Sequence, residues 1–141
     1  MKFLTAVAAL AFSASALACP NITGSFYDSD EDLVKTITQV KCESTTWSDE
    51  ESTTTLLADN VERVLETDGK MTAYATVSFT KDDLIIDIRM DWGGSNEFDL
   101  PVRWITSYRI DKFNNLVEKI RPFKEDGSEL GTDYVTFRRV K

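Results

Sequence analysis

Alternation with a period of two residues is the feature that most constrains this chain. In residues 83–92, Leu84, Ile86, Ile88, Met90 and Trp92 fall on one side of an extended backbone. Asp83, Asp87, Arg89 and Asp91 fall on the other, with Ile85 the exception. Met71, Ala73, Ala75, Val77 and Phe79 alternate in the same way with Thr72, Tyr74, Thr76 and Ser78. Successive side chains of a strand point to opposite faces, so each run describes a strand with one buried face. Thr80, Lys81 and Asp82 form a short polar link between them, suited to a hairpin.

Turn chemistry recurs along the rest of the chain. Asp68-Gly69, Gly93-Gly94-Ser95-Asn96, Asn114-Asn115 and Asp126-Gly127 each separate apolar-rich runs. Such pairs reach the positive φ angles that tight hairpins need. Further strands are expected over residues 22–27, 33–42, 53–58, 61–67, 98–105, 107–111, 116–122 and 130–139. About eight to ten short consecutive strands spell an all-β fold, an antiparallel up-and-down meander closing into a barrel or barrel-like sandwich. Helix signals are few. Asp59-Asn60 has the form of a helix cap before residues 61–66, but that segment also alternates and is read as strand. Residues 28–34 have the form of a helical turn. Pro101 lies within 98–105 and cannot donate to a ladder, so it marks a bulge, an edge or a strand start.

The N-terminus has the organisation of an export signal. Met1 and Lys2 precede an apolar run from Phe3 to Phe12 broken only by Thr5, and Ala16-Leu17-Ala18 supplies the small-x-small cleavage pattern. The run is too short to span a hydrocarbon core of about 30 Å. Residues 1–18 are therefore expected to be a cleaved signal peptide, and residues 19–141 one exported domain without a transmembrane segment, periplasmic or secreted and monomeric. Cys19 directly after the cut resembles a lipoprotein signal. The leucine such signals carry three residues before the cysteine is Ala16 here, which favours ordinary cleavage over a form lipid-anchored at Cys19.

Loss of Lys2 with the leader leaves 15 basic and 24 acidic side chains, a net charge of −9. That field repels phosphate backbones, so no nucleic-acid partner is expected. Cys19 and Cys42 are the only cysteines. In an oxidising compartment they are read as a disulfide, closing a loop of about two dozen residues and contributing on the order of 3 kcal/mol. No Cys-x-x-Cys spacing points to redox or metal chemistry. The chain has no histidine, which removes Ser-His-Asp, Cys-His and His-based zinc sites. No cofactor, metal or catalytic residue is assigned.

Gly24-Ser25-Phe26 near the mature start and Arg138-Arg139 in the last strand carry a resemblance. The meander with these residues resembles the calycin barrels, which include lipocalins and fatty-acid-binding proteins. Those barrels open with Gly-x-Trp and pack a last-strand basic residue across the tryptophan; Phe26 stands at that position here. The resemblance implies a barrel whose first and last strands meet at Gly24, Phe26, Arg138 and Arg139. The run Cys-Pro-x-Ile-x-Gly at 19–24 is also similar to small exported bacterial proteins of unassigned function.

Other candidates are weaker. Asp28, Asp30 and Asp32 resemble the opening of a calcium loop, but Leu33 and Gln39 occupy the positions an EF-hand gives to Gly and Glu. They are read as a solvated acidic turn. Asp87 and Asp91 lie four residues apart on one strand, roughly 13 Å, too far to cooperate. Asn21-Ile22-Thr23 is a glycosylation sequon. Most of Trp92, Trp104, Tyr74, Tyr108 and Tyr134 are expected in the core, with Tyr74, Trp104 and Tyr108 the candidates to line a ligand cavity. The sequence points to an exported, non-enzymatic binding protein for a small apolar or amphiphilic ligand. The alternatives are a structural or protein-interaction module, and an enzyme working without histidine.

Overall fold

The computed structural model describes residues 18–94, 96 and 98–141; the expected leader, Ala18 apart, lies outside them. Ten strands follow one another: β1 (Gly24–Asp28), β2 (Leu33–Val40), β3 (Ser44–Ser48), β4 (Thr53–Leu57), β5 (Arg63–Asp68), β6 (Met71–Phe79), β7 (Leu84–Asp91), β8 (Arg103–Ile110), β9 (Leu116–Phe123) and β10 (Asp133–Arg139). Every pairing is antiparallel, and all ten strands form one up-and-down sheet in the order β4-β3-β2-β1-β10-β9-β8-β7-β6-β5. The sheet curls through 325° into a half-barrel. The first and last strands meet mid-sheet, in the registers Phe26↔Arg139 and Tyr27↔Arg138. The opening in the ring lies between β4 and β5, which are consecutive in the chain.

The alternation of β6 and β7 determines which face turns inward. Ala73, Ala75, Val77, Leu84 and Ile86 are buried, and Ile88 packs against them. Their neighbours Tyr74, Asp87 and Arg89 face out, where Arg89 lies 4.2 Å from the Tyr74 ring centroid and Arg103 pairs with Asp87. The core gathers at one end of the barrel, with Ile22, Phe26, Ile37 and Leu84 wholly buried and Leu116 nearly so. Each such side chain contributes about 1.5–3 kcal/mol over an exposed one.

That end is tied by a disulfide between Cys19, ahead of β1, and Cys42, in the β2–β3 turn. Gln39 reinforces the strap, accepting from the Ile22 N–H and donating to the Pro20 and Lys41 carbonyls.

Several boundaries differ from expectation for local reasons. Residues 44–48, not expected as a strand, form β3, because its Ser and Thr residues pair with β2 and β4 without contributing an apolar signature. The two strands expected at 98–105 and 107–111 are one, β8, which Pro101 precedes. Asp59 caps no helix; its carboxylate accepts from the Val61 N–H and pairs with Arg63 in the link before β5. Residues 29–32 form the β1–β2 turn and no helical turn. No described helix is long and apolar enough to cross a membrane.

Candidate functional site

The inward stripe of three strands changes character within two residues. On β1 Phe26 is followed inward by Asp28; on β2 Ile37 is preceded by Lys35; on β9 Leu116 is followed by Glu118. The registers Phe26↔Lys35 and Tyr108↔Glu118 hold these positions side by side. A sheet facing a filled core keeps one apolar face throughout. Here the apolar stripe is interrupted and a polar cup begins.

The cup has a volume of about 200 Å³, with Phe26, Leu116 and Phe137 as its base, Trp47 and Tyr108 as its aromatic wall, and Ser48, Asp49 and Ser52 at its rim. Trp47 meets Tyr108 edge to face, centroids 4.8 Å apart at 60°. The Trp47 indole N–H donates to Thr45 Oγ1 at 3.0 Å, which fixes the ring. The Tyr108 hydroxyl donates to Glu118 Oε1 in a short hydrogen bond.

Lys35 Nζ stands 2.7 Å from Asp28 Oδ2 and 2.8 Å from Glu31 Oε2, and 5.6 Å from the Phe137 centroid. Asp28 is only 5 % exposed and also accepts from the backbone N–H groups of Asp30 and Glu31, at 3.0 and 3.3 Å. The expected solvated acidic turn thus has a buried anchor, because Asp28 is the inward residue at the end of β1 and finds three donors there.

The ionisation states follow from these contacts. Burial opposes the Asp28 charge, but the Lys35 hydrogen bond and the two amides outweigh it, so its carboxyl lies below its ordinary range. Burial likewise opposes the Lys35 charge, and Asp28 and Glu31 outweigh it, so the ammonium holds its proton more tightly than usual. Burial first, then the Glu118 charge and the hydrogen bond to it, push the Tyr108 phenol well above its ordinary value. At neutral pH the cup presents fixed charges and a phenol that keeps its proton.

Charge within the cup is unbalanced. Lys35 is shared by Asp28 and Glu31, whereas Glu118 and Asp49 enter no ion pair among the described residues.

Of the three aromatic residues expected to line a cavity, the structure brings Tyr108 into the cup. Tyr74 lies on the outer face under Arg89. Trp104 shares the inward face of β8 with Thr106 and Tyr108 but stands nearer the opposite end of that strand, outside the cup lining. Trp47, Lys35 and Glu118 were not singled out by sequence. The one signal available for Glu118 was a charge on the apolar side of an alternating run, Leu116, Glu118, Ile120.

The first-strand and last-strand positions meet at the disulfide end. The Arg139 guanidinium lies 4.6 Å from the Phe26 centroid and donates to the Thr23 and Asn114 carbonyls at 3.0 and 2.9 Å. Gly24 makes room for it: a Cβ there would stand 2.0 Å from Arg139 Nη1. Arg138, one residue earlier, lies over Tyr27, 6.0 Å from its centroid.

Fold and site together define an antiparallel half-barrel with an aromatic, charged cup above an apolar floor. No family model matches the chain, and no curated protein or solved structure matches it either.

Proposed function

We propose that residues 19–141 form an exported, non-enzymatic binding protein, periplasmic or secreted, that holds a small amphiphile in the cup. The switch of the inward stripe from Phe26, Ile37 and Leu116 to Asp28, Lys35 and Glu118 is the observation that carries this reading. Inward charges are costly where a core could be packed, so a stripe that keeps them fits a site kept open to a polar guest. A dry apolar cavity of about 150 Å³ admits benzene. The cup, at about 200 Å³, suits a single ring with a small polar head. Glu118 enters no ion pair among the described residues and favours a cationic or hydrogen-donating head, and the aromatic wall attracts the same charge. The packing of Arg139 over Phe26 beside Gly24 supports a calycin-like ancestry for such a cavity.

The test is an amide and indole ¹H–¹⁵N titration of the mature chain with benzylamine, benzyl alcohol and benzoate. Trp47 sits in the cup, while Trp92 donates to the Pro101 carbonyl and Trp104 lies outside the lining. The Trp47 indole signal is expected to move, the other two to stay, and benzylamine to saturate first. Equal movement of all three, or none up to the solubility limit of the ligands, contradicts the proposal.

A further inference from the structure

The seam between β4 and β5 is unlike the rest of the ring. β4 pairs only with β3 and β5 only with β6, although the two are joined by the link 58–62. At the disulfide end the link bridges the gap, through the Asn60 N–H donating to the Val77 carbonyl at 3.1 Å. Beyond it lies a cleft of about 230 Å³ with Ala75 and Val77 as its floor. Its lips carry Leu57, Val61, Val64 and Leu65, which are 44–60 % exposed.

The two edges differ in how they are defended. β5 has a bulge between Val64 and Glu66 and carries Arg63, Glu66 and Asp68. Both devices discourage a further strand. β4 reads Thr-Thr-Thr-Leu-Leu, with no charge, proline or bulge. The phase of its hydrogen bonds follows from its two ends, where Asp49 N–H donates to Ser52 O and Ala58 N–H to Glu43 O. Alternate residues of an antiparallel pair exchange bonds, so Thr54 and Leu56 bond β3, and Thr53, Thr55 and Leu57 turn their backbone groups to the seam. Three consecutive donor–acceptor positions thus face an apolar cleft without a ladder partner.

Charge selects the occupant. At the open end of the seam the turn 49–52 contributes Asp49, Glu50 and Glu51, and the end of β5 contributes Glu66 and Asp68. None of these enters an ion pair among the described residues. Lys70 is the one cation in the two flanking turns. Arg63 at the other end is neutralised by Asp59. A second copy of a chain with a net charge of −8 would bring like charges together at this edge.

We propose that the β4 edge takes an extended cationic polypeptide as an added strand. The main-chain groups of Thr53, Thr55 and Leu57 supply its ladder, alternate apolar side chains of the guest cover the exposed Leu57, Val61, Val64 and Leu65, and its Lys or Arg side chains meet the acidic turns. Backbone bonds give such complexes affinity and alternate pockets give specificity.

The test uses fluorescein-labelled peptides of seven residues alternating valine with lysine, a version with glutamate for lysine, and a version with alternate amides N-methylated. Anisotropy with the mature chain is expected to show binding of the lysine peptide that weakens with added salt. Loss of at least about tenfold in affinity is expected for both the glutamate and the N-methylated peptides, since one loses the charge match and the other the ladder. Thr55→Pro removes a seam-facing N–H at an edge position where proline is tolerated, and is expected to abolish binding with the amide spectrum otherwise preserved. Should that variant not fold, the N-methylated peptide makes the same distinction on the unaltered chain. Equal binding of the N-methylated peptide excludes strand addition. Equal binding of the glutamate peptide, or no binding of any peptide, overturns the proposal. Dimers at micromolar concentration in sedimentation equilibrium that dissociate on Thr55→Pro would assign the edge to a second copy instead and also overturn it.

Discussion

Two halves of one barrel interior are built from the same strands, and two residues along each strand separate them. Toward the disulfide, β1, β2, β9 and β10 point Phe26, Ile37, Leu116 and Phe137 inward and close the floor. Toward the other end β1, β2 and β9 point Asp28, Lys35 and Glu118 inward, and Lys35 and Glu118 line a cup. The floor is held by contact area and the cup by paired charges and hydrogen bonds. Substitutions should therefore cost stability in the floor and binding in the cup.

The largest effect belongs to the floor. Phe26→Ala removes a wholly buried ring and the surface on which Arg139 lies, and should destabilise the chain by about 3–5 kcal/mol. Denaturant unfolding checks this, and a cost below about 1 kcal/mol would mean that the floor is not packed as described. Replacing Cys19 and Cys42 together by serine opens the covalent strap and should cost about 2–4 kcal/mol, with the amide spectrum of the cup unchanged. Spectral change spreading to Trp47 would show that the halves are coupled.

Asp28 sits at the boundary. Asp28→Asn leaves Lys35 with Glu31 alone and weakens the two turn hydrogen bonds, for an expected cost of about 1–3 kcal/mol at neutral pH. The sign with pH follows from its depressed folded pKa. Its contribution is complete above the ordinary value of 3.8 and disappears as pH falls through the lower folded value. The wild-type chain should thus lose stability on acidification into that window, and the Asn variant should lack that part of the loss. Parallel acid limbs in the two proteins would contradict the assignment.

The smallest effect on stability belongs to the cup. Tyr108→Phe should change stability by within about 1 kcal/mol at neutral pH while weakening ligand binding. Because the Tyr108 phenol is raised, its contribution is complete below the ordinary 10.0 and is lost as pH rises through the higher folded value. The Phe variant should accordingly lose less stability than wild type in alkali, with one fewer late-titrating phenol in the ultraviolet absorbance. A full, early phenol titration of the wild-type chain would show that Tyr108 is not buried against Glu118.

The same division explains what was legible in the sequence. Burying one face imposes a period of two, and β6 and β7 announce their inward residues through it. Turn pairs such as Asp68-Gly69 and Asp126-Gly127 punctuate the chain because few residues reach positive φ, and Gly69 and Gly127 do so at +60° and +82°. β3 was hidden because its inward residues are Thr45 and Trp47, flanked by polar positions that carry no alternation. For the cup, local pattern identified Tyr108 but not its partners. Lys35 and Glu118 look like ordinary surface charges until the registers of β2 and β9 turn them inward. Tyr74 and Trp104 show the converse, since an aromatic residue in a strand reveals neither its face nor its height along the barrel.

The most direct measurement of the central claim is calorimetric titration of benzylamine into the wild-type chain and into Glu118→Gln. That substitution removes the unpaired inward charge and keeps an acceptor for the Tyr108 hydroxyl. The predicted result is saturable one-to-one binding by wild type, at least about tenfold weaker in the variant, with unfolding midpoints that agree closely. Equal affinity in the two proteins, or absence of binding in wild type, would contradict the assignment of the cup as the binding site.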